Sequence, residues 1–318
     1  MANAEKIGGV NTYVLYGDES TYGTAGTVDT HFGLIQSFTP SQKNNLIKHR
    51  GFVNSASGGR DIARVSAGKY EAALSLEFQP IIWTWLEYVL GSRSGSGTIA
   101  SPYIYLGSNQ PTSMTIAHEI DNVTTDREEA FLGCIVNSCT IKASVGEPVS
   151  VSLDILSADM DKDATITANV ALSTLNPFTF VSGSIEIPNG VAISNIIDSI
   201  EITINNNAEI AYSVGSRIGK KPIFKARDYT VKFTLKYLDD TFIEKFLGSA
   251  SGPTVTATPT EDATIALKFE NNNAHYVDMV FYSCRIDEFA DPANLNEMLT
   301  EDITYSAMTA QINEVISS

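Results

Sequence analysis

Four histidines, three cysteines, a glycine–lysine loop and an acidic triplet are the residues of this chain whose types could do chemistry. His31, His49, His118 and His275 would act as general bases or metal ligands if brought together. Their spacing matches no metal motif, and none sits beside a nucleophile signature, so a hydrolase on a β scaffold has no local support. Gly215-Ser216-Arg217-Ile218-Gly219-Lys220-Lys221 resembles a phosphate loop. Its glycine spacing is one residue short, and Lys221 stands where Ser or Thr would bind magnesium. Asp159, Asp161 and Asp163 are spaced like the start of a calcium loop. Ala164 replaces its glycine and Val170 its bidentate glutamate, so a solvated acidic turn is expected. Asn122-Val123-Thr124 fits a glycosylation sequon, which acts only on secretion. Trp83 and Trp85 could stack a sugar, but they open an amphipathic segment and are expected in a core or an interface. No cofactor and no metal is expected from this set, and no enzyme activity.

The elements that would position such residues repeat. Tyr70–Ser92 and Tyr229–Ser249 each read as a strand that turns into a short helix. Leu74, Leu76 and Phe78 alternate with Ala73, Ser75 and Glu77; Val231, Phe233 and Leu235 alternate with Thr230, Lys232 and Thr234. Period two buries one face. Ile82, Trp85, Leu86 and Val89 then recur at helical spacing, as do Phe242, Ile243, Phe246 and Leu247. Pro80 suits a helix first turn, and Asp239 and Asp240 an N-cap. Both helices, expected over 80–91 and 239–248, end at Leu-Gly-Ser, with glycine for the left-handed residue. The copies align at an offset of 157 (Leu247 against Leu90). Ser138-Cys139-Thr140-Ile141 is expected to match Ser283-Cys284-Arg285-Ile286 at an offset of 145. Repeated order with a variable connection indicates a duplicated unit.

The chain has 318 residues and 43% hydrophobic content, enough for two ordinary folded units. No apolar run reaches membrane-spanning length. The segment MANAEKIGG has no apolar core, so no secretory signal is expected there. Three cysteines make no disulfide framework; reduced, buried thiols and folding in a cytoplasm are expected.

The net charge of −16 argues against a protein that grips phosphate. Its distribution is uneven. Segment 41–69 holds Lys43, Lys48, Arg50, Arg60, Arg64 and Lys69; segment 206–228 holds Arg217, Lys220, Lys221, Lys225 and Arg227. Together they carry 11 of the 21 basic residues and 3 of the 37 acidic ones. Each directly precedes its copy of the strand–helix unit, so a basic loop belongs to the repeat. Such loops are suited to meeting the acidic surface of another copy.

Further strands are expected at 32–38, 103–106, 112–117, 131–144, 148–156, 263–270, 276–286 and 298–307, and one around Ile200, Ile202 and Ile204. Residues 1–30 form an arm, and 161–177 a linker between units at 1–160 and 178–318. Strand-heavy composition with one helix per half points to a mainly β chain of two sandwich-like domains.

The order of short motifs carries a resemblance. Glu19-Ser20-Thr21-Tyr22-Gly23-Thr24 is followed by a basic Gly-rich loop, a strand running into a helix that ends Leu-Gly-Ser, and Gly133-Cys134-Ile135-Val136-Asn137-Ser138. Asn176-Pro177-Phe178-Thr179-Phe180 opens a second half of the same order. Over nearly its whole length the chain is similar to the two-domain tail tube (major tail) proteins of long-tailed bacterial and archaeal viruses. The resemblance implies two tandem tail-tube-type β-sandwich or split-barrel domains, each with one flanking helix. It implies a virion protein, assembled in the host cytoplasm, whose rings stack into a conduit for the genome. The implied partners are further copies of the chain, the tape measure, tail terminator and baseplate or tip proteins, and double-stranded DNA that passes without specific binding; no membrane is involved. The basic segments lie where the family's inter-ring loop belongs.

Two tandem units imply homotrimeric rings, where a single-domain relative closes with six copies. Ser75, Glu77, Ser150, Ser152, Asp154, Glu201 and Thr203 are the polar alternates of apolar strands and are expected to face the bore, giving it an acidic lining. Lys232 and Lys236 sit awkwardly in such a lining. The alternative reading is a β-sandwich module that binds a receptor or glycan.

Overall fold

The computed structural model describes residues 12–50, 62, 64–120, 127–162, 164, 170, 172–188, 190–254, 256, 258–271, 275–292 and 298–316. The first half contains β1 (Thr12–Asp18), β2 (Thr30–His31), β3 (Gly33–Lys43), β4 (Ile47–His49), β5 (Arg64–Ser66), β6 (Glu71–Pro80), α1 (Leu86–Leu90), β7 (Gly91–Ser94), β8 (Tyr103–Gly107), β9 (Met114–Ile120), β10 (Arg127–Ser144), β11 (Ser150–Ser157) and β12 (Asp159–Asp161). The second contains β13 (Gly183–Glu186), β14 (Ile197–Asn205), β15 (Ala208–Glu209), β16 (Ile223–Phe224), β17 (Asp228–Lys236), α2 (Thr241–Leu247), β18 (Glu261–Asn271), β19 (His275–Ala290), β20 (Thr300–Ala307) and β21 (Thr309–Val315).

Alternation decides the strands. β6 buries Ala72, Leu74, Leu76 and Phe78 and exposes Ala73, Ser75 and Glu77. β17 buries Tyr229, Val231, Phe233 and Leu235 and exposes Lys232 between them. The helices are shorter than expected. Pro80 is the last residue of β6, and α1 begins only at Leu86. Proline ends the strand without loss because the chain leaves the ladder there. Gly91 and Gly248 do take the left-handed C-cap, at φ 100° and 71°. At the start of α2 the carboxylate of Asp239, rather than that of Asp240, accepts a bond from the Thr241 N–H, at 3.0 Å.

Both halves follow one plan, visible in irregularities more than in identities. β3 skips Gln36 in its pairing with β6, and β14 skips Asp198 in its pairing with β17. β10 skips Asn137 and β19 skips Asp287. Gly133 and Ser283 both have positive φ, 63° and 52°. Ala158 N–H bonds the Leu132 carbonyl and Met308 N–H the Tyr282 carbonyl, each at 3.0 Å. The last three equivalences each join residues 150 apart in number. Cys284 therefore matches Cys134, and the expected match with Cys139 is corrected. The shared Ser-Cys-x-Ile was a coincidence of four residues, whereas bulges and ladder bonds fix the backbone register.

The dominant feature is a single antiparallel sheet of order β3-β6-β11-β10-β14-β17-β20-β19. Four strands come from each half, joined where β10 pairs with β14. Among the described residues β3 pairs only with β6, and β19 beyond Arg285 pairs only with β20, so the sheet is open at both ends. Behind it lie β1, β9 and the start of β10 in one half, and β13, β18 and β21 in the other. β8 pairs with β21, which adds a second link between halves.

One core runs through both halves. Trp83 and Trp85 are fully buried, and Trp83 packs on Phe178 with ring centroids 5.7 Å apart. The carboxylate of Glu314, fully buried, accepts bonds from the Trp83 backbone N–H and the Tyr105 hydroxyl, both at 2.7 Å. Two charge-assisted bonds offset the cost of burying that group and tie the last strand to the first half.

Candidate assembly surfaces

The residues that could do chemistry are not brought together. His31 bonds the Val170 carbonyl at 2.7 Å and His49 the Ser66 hydroxyl at 2.8 Å. His118 lies 3.9 Å from Glu129, and burial lowers its pKa. His275 is fully buried, 3.7 Å from Glu314. No helix follows Gly215–Lys221, so there is no helix N-terminus to hold a phosphate. Asp159 and Asp161 lie on β12; Asp163 and the sequon at 122–124 fall outside the described residues. Among the described residues no cluster has three metal-ligating side chains. Burial raises the pKa of all three thiols, that of Cys284 to about 12, so they are inert. Both tryptophans are core residues, as their spacing indicated.

What the fold does build is a seam. Along β10–β14, Ser138 faces Asn205, Thr140 faces Thr203, Lys142 faces Glu201 and Ser144 faces Ser199. The chain then turns at Asn206 and Asn207. Asn206 is 1% exposed, and its side-chain amide donates to the carbonyls of Val89 and Val136, both at 2.9 Å. Its backbone N–H bonds the Asn137 carbonyl, and the Ala208 N–H bonds the Asn137 side-chain oxygen, both at 2.8 Å. Thus the bulge in β10 serves as the receptor for the corner that ends β14. Sequence reading missed Asn206; its only signal was the turn triplet Asn205-Asn206-Asn207.

The seven polar alternates, Ser75, Glu77, Ser150, Ser152, Asp154, Glu201 and Thr203, share the face of the long sheet opposite the core. Asp302 and Glu288 lie on it too. Lys142, which alternation of the flanking strands did not flag, pairs with Glu201 at 3.0 Å. Lys232 stands opposite Glu201, Lys236 lies 3.4 Å from Asp198, and Arg285 pairs with Glu261 at 2.8 Å. Lys43 stands opposite Glu71, so each of these cations has an acid beside or opposite it, Glu201 serving both Lys142 and Lys232.

The basic segments are two hairpin arms, β3–β6 extended by β4–β5 and β14–β17 extended by β15–β16. Lys43, Lys48, Arg50, Arg64, Lys69, Lys220, Lys221 and Lys225 are exposed, and Arg60 falls outside the described residues. Leu46, Ile47, Val65, Ile218 and Ile223 are exposed beside them. Among the described residues four of the eleven cations bond partners within the chain. Arg217 donates to the Gly68 carbonyl at 2.9 Å and the Asn44 side chain at 2.6 Å. Arg227 donates to Asn206 at 2.6 Å and to the carbonyls of Leu90 and Ser108 at 3.1 and 3.0 Å. Lys69 pairs with Glu71, and Lys225 with Glu209 at 3.0 Å.

A duplicated antiparallel unit whose two halves join in one long sheet with open edges defines a repeat-built β protein with surfaces suited to assembly. The chain belongs to the phage tail tube protein family, whose sequence model matches residues 9–307. No curated protein sequence matches it. Among solved structures, the SPP1 tail tube, an NMR ensemble from a hybrid solid-state NMR and cryo-EM structure, is similar over 53% of this chain and 88% of its own. The identity is 11% and the TM-score 0.34. Family membership, rather than that likeness, makes this chain a structural component of a phage tail. No helix among the described residues is long and apolar enough to cross a membrane.

Proposed function

We propose that three copies of the chain close a ring and that stacked rings form the tube that conducts the genome. The observation that carries this is the β10–β14 seam. It joins two equivalent four-stranded sheets edge to edge and leaves free the two edges that correspond to its own sides: β3 matches β14, and the end of β19 matches the end of β10. A head-to-tail contact of this kind generates a ring when its rotation closes. Closure also removes exposed strand edges. Eight strands per chain give twenty-four in the ring. At about 4.8 Å per strand and a tilt of about 40°, the barrel spans roughly 48 Å between backbones, wide enough for a DNA duplex. Two chains would give roughly 32 Å before side chains are added.

The polar face lines the bore in this reading. Acids stand beside or opposite its cations, so phosphates find little free positive charge to grip and the DNA passes without specific contacts. The basic arms, with their exposed apolar residues, reach the neighbouring ring. Tape measure, terminator and tip proteins meet the ends, assembly takes place in the host cytoplasm, and the chain performs no reaction. Electron cryomicroscopy of purified tubes tests the proposal. Threefold rings with both halves lining the bore are expected; six chains per ring, with only residues 1–160 at the bore, would overturn it.

A further inference from the structure

The two halves differ in one respect that bears on how copies join, which deepens the ring reading and rests on it. Asn44-Asn45 repeats Asn206-Asn207. Asn45 and Asn207 are both left-handed, at φ 35° and 47°. The Asn207 side chain donates to the Ala226 carbonyl at 2.8 Å and to Asp228 at 2.8 Å; that of Asn45 donates to the Lys69 carbonyl at 3.3 Å and to Glu71 at 2.6 Å. Each acceptor pair corresponds at the offset of 157 that relates β17 to β6. Yet Asn206 is buried on the bulge of β10, while Asn44 is exposed. Its carbonyl oxygen accepts from Arg217, and its amide N–H2 group has no partner among the described residues.

We propose that the Asn44 corner of one copy docks on the Ile286–Asp287 bulge of the next, in the register that Asn206 takes on Val136–Asn137. The equivalences are fixed by the ladders: β19 follows β10 at 150, and β14 follows β3 at 162 (Ile197 against Ile35). Ser138 facing Asn205 becomes Glu288 facing Lys43. Thr140 facing Thr203 becomes Ala290 facing Ser41. The Asn44 backbone N–H reaches the Asp287 carbonyl, the Leu46 N–H reaches the Asp287 carboxylate, and the Asn44 amide reaches the Ile286 carbonyl. Asp287 supplies the same acceptor oxygen that Asn137 supplies inside the chain. Glu288 and Lys43 are both exposed and lie on the polar face of the sheet, so the register sets opposite charges side by side.

Cysteine pairs read the register directly, since directly opposite residues bring their Cβ atoms to about 4.5–5.5 Å. The native thiols are buried and do not interfere. Tubes of the Lys43→Cys/Glu288→Cys double variant should oxidise to a covalent series ending at three chains. Ser41→Cys/Glu288→Cys, which reports a two-residue slip, should not. As a second arm, Asn44→Ala should lower ring yield at least tenfold with the circular dichroism of the chain unchanged, while Asp287→Asn should assemble normally. Bridging of the 41/288 pair instead of 43/288, or normal assembly of Asn44→Ala, overturns the docking register while leaving the ring reading intact. A covalent series ending at six chains overturns the threefold ring itself.

Discussion

Asn206 and Val136 lie 70 positions apart and meet at the seam between the two halves, where the Asn206 amide donates to the Val136 carbonyl at 2.9 Å. The same amide holds the Val89 carbonyl, and its oxygen accepts from Arg227. One side chain therefore joins the sheet, the end of α1 and a basic arm. The long sheet stays continuous across the repeat boundary because this corner satisfies backbone groups that the seam would otherwise bury unpaired.

Asn206→Ala should destabilise the unassembled chain by about 2–4 kcal/mol, because it leaves two buried carbonyls and the Nε–H of Arg227 without their partner. Asn44→Ala, at the equivalent exposed position, should change the same quantity by no more than about 0.5 kcal/mol. Urea denaturation of both variants measures the contrast. Equal effects would show that the two corners are not differently occupied.

Gly133 and Ser283 share a left-handed backbone position. Gly133→Ala should cost about 1–3 kcal/mol, since a Cβ there meets the Tyr22 ring at 2.9 Å and Ala158 at 3.0 Å besides the strained φ. Ser283→Gly should leave stability unchanged or raise it by up to about 1 kcal/mol, because glycine removes the left-handed penalty. Thermal denaturation of each variant checks both signs.

Glu301 is buried, and desolvation together with Asp239, Asp291 and Asp240 pushes its pKa up to about 7. The folded chain thus holds a proton that the unfolded chain releases near 4.5. Stability contributed by the neutral form is present below pH 4.5 and is lost as pH rises to 7. Glu301→Gln should raise the melting temperature at pH 8 and change it little at pH 5. A gain of equal size at both values would place the effect elsewhere.

Charge reversal at Arg50 and Arg64, which lie exposed on the first basic arm, should weaken ring stacking more than ring closure. Sedimentation should then show rings where the parent chain shows tubes, and added salt should move the parent in the same direction. Loss of rings together with tubes would assign the arm to closure.

The sequence alone carried the repeat, the strand alternation, the left-handed helix ends at Gly91 and Gly248, and the packing role of both tryptophans, in a core or an interface. These are local signals, since period, capping glycine and apolar spacing act within one element. It also marked the seven polar residues of one face, but not Lys142, whose paired acid comes from the other half. The register between repeats was not local. Cys139 offered an apparent partner for Cys284, and only the bulges at Asn137 and Asp287 showed that Cys134 holds the equivalent place. Nor did charge reveal which arginines bond within the chain: Arg217 and Arg227 read like their neighbours until the folded chain set them against carbonyls of the other half. The seam, with Asn206 seated on the bulge of β10, was decided by tertiary structure because its groups become neighbours only when two distant strands pair.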